Sequence, residues 1–347
     1  MKKIFLIGGI FMLLTSCTSD EYTEIPPKDT DDLEWVKPVN FPNASYLFTN
    51  NELKKSRFEL GKKLFHDSRL SQDNTIACAS CHLKVHAFAD TGMALSLGID
   101  KQLGKRNAPA IQNMAFIDEY FYDGAANNLE MVPIVPIHNE LEMREELPTI
   151  LDKLRLDREY QELFKRAYKD EKMTSTSMMK ALAQYMAMLI SSNSKYDKYV
   201  RNEVGGTLTE QEQKGLGLFR QNCASCHKGD LFTDVSFRNN GVKVNTIIND
   251  IGREEVSGEK EDRYKFKVSS LRNVALTAPY MHDGSIATLE EVLDFYSSGI
   301  KESPTLDPIL KQKNGKVGIP LTSDEKKAII AFLHTLTDYE FINNPMF

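Results

Sequence analysis

Two Cys-x-x-Cys-His pentads stand 145 positions apart in this 347-residue chain: Cys78-Ala79-Ser80-Cys81-His82 and Cys223-Ala224-Ser225-Cys226-His227. Two thiols at this spacing, followed at once by an imidazole, form the attachment sequence of a c-type haem. The cysteines bond to the porphyrin edge, and the histidine reaches the iron as an axial ligand. Structural zinc needs a second ligand pair close by, either another Cys-x-x-Cys or a His pair, and neither pentad has one. A redox-active dithiol sits in a strand–turn–helix setting, whereas the polar loop Ser71-Gln72-Asp73-Asn74 leads into the first pentad and a helical pattern runs into the second. The identical inner residues, Ala-Ser, argue against coincidence. The reading is two covalently bound haem c groups, attached through Cys78, Cys81, Cys223 and Cys226, with His82 and His227 on the irons. Such a protein handles electrons one at a time.

Helices must position these groups. Thr209-Glu210-Gln211-Glu212 has the form of a capping box and predicts a helix over 213–221 that ends at Cys223. A second box, Thr322 to Glu325, predicts a closing helix carrying Ile329, Ile330, Leu333 and Leu336. Leu53, Leu60, Leu64 and Phe65 suggest a helix leading toward Cys78, and helical patterns occupy about 145–168 and 175–192. Strand signals are few, and long irregular stretches flank the pentads, as expected where a cofactor fills the core. The expected fold is all-α, with two cytochrome c-like haem domains and long irregular loops. Gly205-Gly206 marks their boundary, giving domains at 46–204 and 205–347.

The chain opens with Lys2-Lys3, an apolar run from Ile4 to Leu14, and Thr15-Ser16-Cys17. The run is too short to span a bilayer and fits a signal-peptide core. Its ending resembles a bacterial lipobox, so 1–17 reads as a lipoprotein signal with Cys17 as the lipid attachment site. Residues 18–45 read as a flexible tether. The expectation is a periplasm-facing protein held to a bacterial membrane only through a lipid. The other four of the five cysteines sit in the pentads, which leaves no pair for a disulfide. With a net charge of −6 there is no basic stripe to hold nucleic acid.

Further segments carry a family resemblance. Leu60-Gly61-Lys62-Lys63-Leu64-Phe65, Asp67 to Ser71, Arg106-Asn107-Ala108-Pro109, Asp123-Gly124, Glu142-Met143 and the long stretch Phe266 to Gly284 together resemble the bacterial di-haem cytochrome c peroxidase and MauG family, from about Asn51 to Leu336. The resemblance implies a peroxidatic N-terminal haem on His82 and a C-terminal haem on His227 that relays charge. It implies hydrogen peroxide as substrate and a small cytochrome c or cupredoxin as electron donor, and it allows a homodimer. The alternative within the family is a MauG-like oxidase that uses peroxide to oxidise a protein or organic substrate.

The resemblance also assigns residues. Glu142 takes the place of the distal acid–base carboxylate, against a reading as one more solvated charge beside Glu140, Glu145 and Glu146. Ser96-Leu97-Gly98-Ile99 replaces a segment in which the ordinary peroxidases carry a distal His. Ile99 cannot bind iron, so an open iron is expected there, with His86 as a rival ligand. Val132 stands where the family often has a Gln. Tyr296 occupies the sixth-ligand position of the C-terminal haem, with Met281 as the competitor. A phenolate oxygen favours ferric iron, whereas a thioether raises the potential. Tyr122 takes the place of an inter-haem tryptophan and is an expected electron relay. Asn107, Thr277 and Pro279 match the ligands of one calcium ion, and Arg106 and Arg272 are expected on haem propionates.

Overall fold

A computed structural model describes residues 31–169 and 172–347, so the export signal and Cys17 lie outside the described residues. Among the described residues these α-helices frame the site: α1 (Lys55–Phe65), α2 (Ile134–His138), α3 (Leu147–Arg155), α4 (Arg158–Tyr168), α5 (Ser175–Met188), α6 (Lys195–Val200), α7 (Glu210–Asn222), α8 (Leu289–Asp294) and α9 (Ser323–His334). A last short helix, α10 (Tyr339–Asn343), follows. Among the described residues, extended structure is confined to the two-residue antiparallel pair Phe237–Arg238 and Phe266–Lys267 and to isolated bridges. No helix among the described residues is long and apolar enough to cross a membrane.

Both capping boxes form as their sequences require. The Glu212 amide donates to Thr209 Oγ1 at 3.3 Å, and the Thr209 amide donates back to Glu212 Oε2 at 2.7 Å. Thr322 and Glu325 repeat the arrangement at 3.3 and 2.8 Å. The single helical pattern over 145–168 is instead two helices. Asp157 accepts the Glu159 amide at 2.8 Å and starts α4 afresh: a short side-chain acceptor at the junction offers the backbone a cap in place of continued helix.

Two helix pairs form the frame, α1 on α5 and α7 on α9. Each crosses at a glycine. A Cβ on Gly61 would collide with the Ala181 carbonyl, and one on Gly215 with the Ala328 carbonyl. Just beyond each crossing stands an aromatic ring, Tyr185 in one pair and Phe332 in the other, both fully buried. Bare backbone at the crossing lets the helices approach closely enough for these rings to close the contact. Around the first pair lies an apolar cluster built from Phe58, Leu60, Leu64, Phe65, Leu182 and Tyr185, and around the second one built from Leu216, Phe219, Ile329 and Phe332.

A second duplication links the halves, at an offset of 160 positions. Asn113-Met114-Ala115 and Asn273-Val274-Ala275 both turn through a left-handed Asn, with φ 61° and 58°. Tyr120-Phe121-Tyr122-Asp123-Gly124 and Tyr280-Met281-His282-Asp283-Gly284 follow, each closed by a bridge, Tyr120 to Ala126 and Tyr280 to Ile286. In both, the tyrosine hydroxyl reaches back to the preceding turn, Tyr120 to Met114 O at 3.2 Å and Tyr280 to Val274 O at 3.0 Å.

Residues 31–45, expected in the tether, pack onto the first core. Phe41 is buried, the Trp35 ring stacks on Phe116 at 5.6 Å, and Asn40 donates to Asp197 at 3.0 Å. The C-terminal end returns to the same core through Phe341, Ile342, Met346 and Phe347. Apolar side chains of residues 31–45 and of the C-terminal segment gain burial that a free tether would forgo.

Candidate functional site

The first pentad is a single helical turn, Cys78–Cys81, closed by the His82 amide on Cys78 O at 3.0 Å. The chain then doubles back through Ala87 and Phe88, at φ 54° and 61°, which turns the Phe88 carbonyl onto His82 Nδ1 at 2.9 Å. The second pentad repeats this. His227 Nδ1 lies 3.1 Å from the carbonyl of Phe232, itself at φ 54°. A carbonyl can only accept, so both imidazoles carry the proton on Nδ1 and present Nε2 as a lone pair, the arrangement that orients a metal-ligating histidine. Burial lowers the pKa of both, which keeps them neutral and fit to ligate.

Burial also pushes the thiols up, Cys78 to about 12, Cys81 to about 11 and Cys223 to about 12. Thiols so disfavoured as thiolates are poor free nucleophiles. Among the described residues no group of three or more His, Cys, Asp or Glu could hold a metal ion. Paired neutral thiols beside an oriented imidazole fit covalent haem c at both pentads.

Over the first pentad stands Glu142, within electrostatic range of Cys78 and Cys81. Its backbone is pinned by a hairpin in which the Gly98 amide bonds Gln102 O and the Gly104 amide bonds Ser96 O, at 2.9 and 3.0 Å. From this hairpin the Ile99 amide donates to Glu142 O at 2.9 Å, and Gly98 lies so close to Leu141 and Glu142 that a Cβ has no room. Ile99 is 1% exposed and forms wall. Val132 is also buried. Desolvation raises the Glu142 pKa, opposed by a hydrogen bond from Asn139 at 2.7 Å and by the Arg106 charge. A half-buried carboxyl whose pKa is raised by burial is suited to giving and taking a proton.

Beside the second pentad, Tyr296 lies on a π-type turn, Phe295–Gly299, and interacts electrostatically with Cys223 and Cys226. Burial raises its pKa to about 12, with a hydrogen bond from Asn240 opposing. The same Asn240 amide lies 3.3 Å from Tyr296 Oη and 3.5 Å from Met281 Sδ. The two rival ligands therefore meet at one place. Met281 has φ 74°, but its counterpart Phe121 has φ 62°, so the left-handed backbone belongs to the repeated turn. A crevice lined by Asn240, Val242, Tyr264, Phe266 and His282 opens alongside, where the His282 ring stacks on Phe266 at 3.7 Å.

Tyr122 stands in the first of the two repeated turns, closed by the Tyr120–Ala126 bridge. Burial raises its pKa to about 12, and its hydroxyl bonds Ser269, whose backbone reaches His227. Asn107 is buried and bonds His282 O through its amide at 2.8 Å and the Met93 and Ala94 carbonyls through Nδ2 at 3.2 Å. Thr277 and Pro279 sit on the turn just before His282, joined through a cis Ala278–Pro279 bond.

Both arginines expected on propionates are engaged by groups of the chain. Arg272 is fully buried and grips Asp197 with two bonds of 2.6 and 2.9 Å, and its Nε donates to Asp230 O at 2.6 Å. Arg106 is engaged by Asp123, by Asp250 at 2.7 Å and by Glu255 at 3.3 Å. Carboxylates of the chain pair with both cations. Sequence reasoning missed Asn139 and Asn240. The signals were there, an Asn three residues before Glu142 and the turn-forming Asn239-Asn240-Gly241.

Residues 55–205 match the family model described as di-haem cytochrome c peroxidase. The chain is 30% identical over 309 residues to cytochrome-c peroxidase IdrP2 of Denitromonas iodatirespirans, covering 80% of this chain and 81% of that protein. It is 31% identical over 291 residues to the methylamine utilization protein MauG of Methylorubrum extorquens, covering 82% and 79%. A crystal structure of a MauG-like protein associated with microbial copper homeostasis superposes with a TM-score of 0.81 at 32% identity, covering 91% of this chain and 99% of that one.

Proposed function

The chain belongs to the di-haem cytochrome c peroxidase family, and on that premise we propose that it reduces hydrogen peroxide to water with electrons from a small cytochrome c or copper protein. The observation that carries this is an asymmetry. Both imidazoles are oriented by a phenylalanine carbonyl, of Phe88 and of Phe232, but among the described residues a carboxyl of raised pKa stands at the first pentad alone. When bound, each haem supplies an iron that exchanges single electrons. The protein's own part is acid–base and positional: Glu142 takes the proton from the inner peroxide oxygen and returns it to the outer one, which lets the O–O bond break. Buried Ile99 supplies wall and no ligand, so it would leave room for peroxide at the haem held by His82. Tyr122, through Ser269, lies on the route toward His227 and relays electrons. Tyr296 would hold the iron of the second haem from the side where Asn240 reaches its hydroxyl.

The finer setting belongs to the same proposal. Residues 46–204 and 205–347 each hold one haem, in keeping with the two glycine-crossed helix pairs. Asn107 with the Thr277 and Pro279 carbonyls holds a calcium ion. Cys17 anchors the protein by lipid to face the periplasm. The test is peroxide-dependent oxidation of a reduced cytochrome c or cupredoxin by protein carrying both haems. Turnover is expected, and its absence with both haems attached overturns the proposal.

A MauG-like oxidase is the second reading, and the meeting of Tyr296 and Met281 at Asn240 favours it, because an oxygen ligand would disfavour reduction of the second haem. Peroxide-driven oxidation of an organic or protein substrate, with reduced cytochrome c left untouched, decides for it.

A further inference from the structure

We propose that Asn139 is a positioning residue that holds Glu142 Oε1 as a fixed hydrogen-bond acceptor and so reserves Oε2 as the oxygen that carries the proton. The proposal rests on the peroxidase reading of Glu142. Asn139 Nδ2 donates to Oε1 at 2.7 Å. Its Oδ1 accepts the Leu141 amide at 3.0 Å, which fixes which way the amide group faces. Its own carbonyl accepts the Glu142 and Arg144 amides, both at 3.0 Å. Asn139 thus ties the turn at four points, one of them the working carboxyl.

The turn is also held from outside, by Ile99 on Glu142 O and by the Gln72 amide on Met143 O, both at 2.9 Å. Rotation of the Glu142 side chain is therefore the main freedom left, and the Asn139 bond removes it. An oxygen that must accept an N–H in both protonation states is the wrong one to carry the proton. That leaves Oε2, which no hydrogen bond reaches among the described residues. The charges facing this carboxyl are accounted for. Arg106 acts from across the site, Arg144 is paired with Asp100 and Glu140, Glu145 is paired with Lys153, and the Cys78 and Cys81 sulfurs lie below. Asn139 is the one neutral donor among them.

The experiment compares kcat–pH profiles of N139A, N139D and E142Q with wild type, on protein shown by its pyridine haemochrome spectrum to carry both haems. N139A is expected to lose roughly 10- to 100-fold in kcat, the scale of one hydrogen bond to a charged group. The acid limb of its profile moves to higher pH, because the lost donor stabilised the carboxylate. N139D keeps the side-chain size, which covers the case in which N139A takes up haem poorly. It places a like charge at the donor's position and moves the limb further. A limb that stays at the wild-type pH in these variants overturns the proposal, whatever kcat does. E142Q separates the two ideas: wild-type turnover there defeats the reading of Glu142 itself, whereas an inactive E142Q with an unmoved limb in N139A and N139D defeats only the positioning.

Discussion

Replacing Asp197 by Asn should unfold this protein far more readily than its conservative chemistry suggests. Asp197 and Arg272 are both completely buried and joined by two bonds of 2.6 and 2.9 Å. Ser194 adds a hydroxyl at 2.7 Å and an amide at 2.9 Å, and Asn40 adds a donor at 3.0 Å. The pair sits at a junction: Arg272 belongs to the second half, Asp197 to α6, and the guanidinium lies 4.4 Å from the Phe41 ring of the N-terminal arm. Asn keeps the shape and removes the charge, stranding a guanidinium away from water, which costs about 3–5 kcal/mol. Replacing both partners together, by Arg272→Met and Asp197→Leu, removes both desolvation penalties and should cost far less than the single change. Burial alone would raise the Asp197 pKa, but the Arg272 bonds and charge outweigh it and hold it below the usual carboxylate value. For a group so depressed, the stability is present above about pH 3.9 and is lost as pH falls through the lower folded value. Urea unfolding of the haem-loaded protein at several pH values measures all three terms. The reasoning is refuted if Asp197→Asn costs less than about 1 kcal/mol, or if the double variant is as unstable as the single.

Four other outcomes follow from the same geometry. Glu142→Gln should lower peroxide turnover by roughly 10²- to 10⁴-fold with both haems still attached, the usual share of a positioned acid–base group; steady-state assays read it. In wild type, burial raises the Glu142 pKa, so activity should fall with acidification at a pH above the ordinary Glu value of about 4.3, and a pH–rate profile places that limb. Gly61→Ala and Gly215→Ala should each destabilise by about 1–3 kcal/mol or more, because the added methyl meets a carbonyl in the facing helix; denaturant midpoints compare the two crossings. Tyr296→Phe should abolish any phenolate charge-transfer band of the resting ferric protein while Met281→Leu leaves it, and the opposite pattern would give the ligand position to Met281.

Local chemistry was open to reading in the sequence. A Cys-x-x-Cys-His pentad is contiguous, so its cofactor is written in five neighbouring residues. The capping boxes at Thr209 and Thr322 likewise depend on residues three apart, and α7 and α9 begin where those signals stand. Even the left-handed turns at Asn113 and Asn273 are local, although the 160-residue repeat shows clearly only once the two turns are compared. The sequence could not say which partner a charge would find. Arg106 and Arg272 both follow the family pattern, but their carboxylates come from as far away as Asp250 and Asp197. Such pairing depends on desolvation, which exists only after the halves close. For the same reason the raised pKa of Glu142, the Asn139 bond that aims it, and the meeting of Met281 and Tyr296 at Asn240 are products of tertiary structure. Residue type and spacing determined that the chain binds two haems; burial decided which side chains are left free to act beside them.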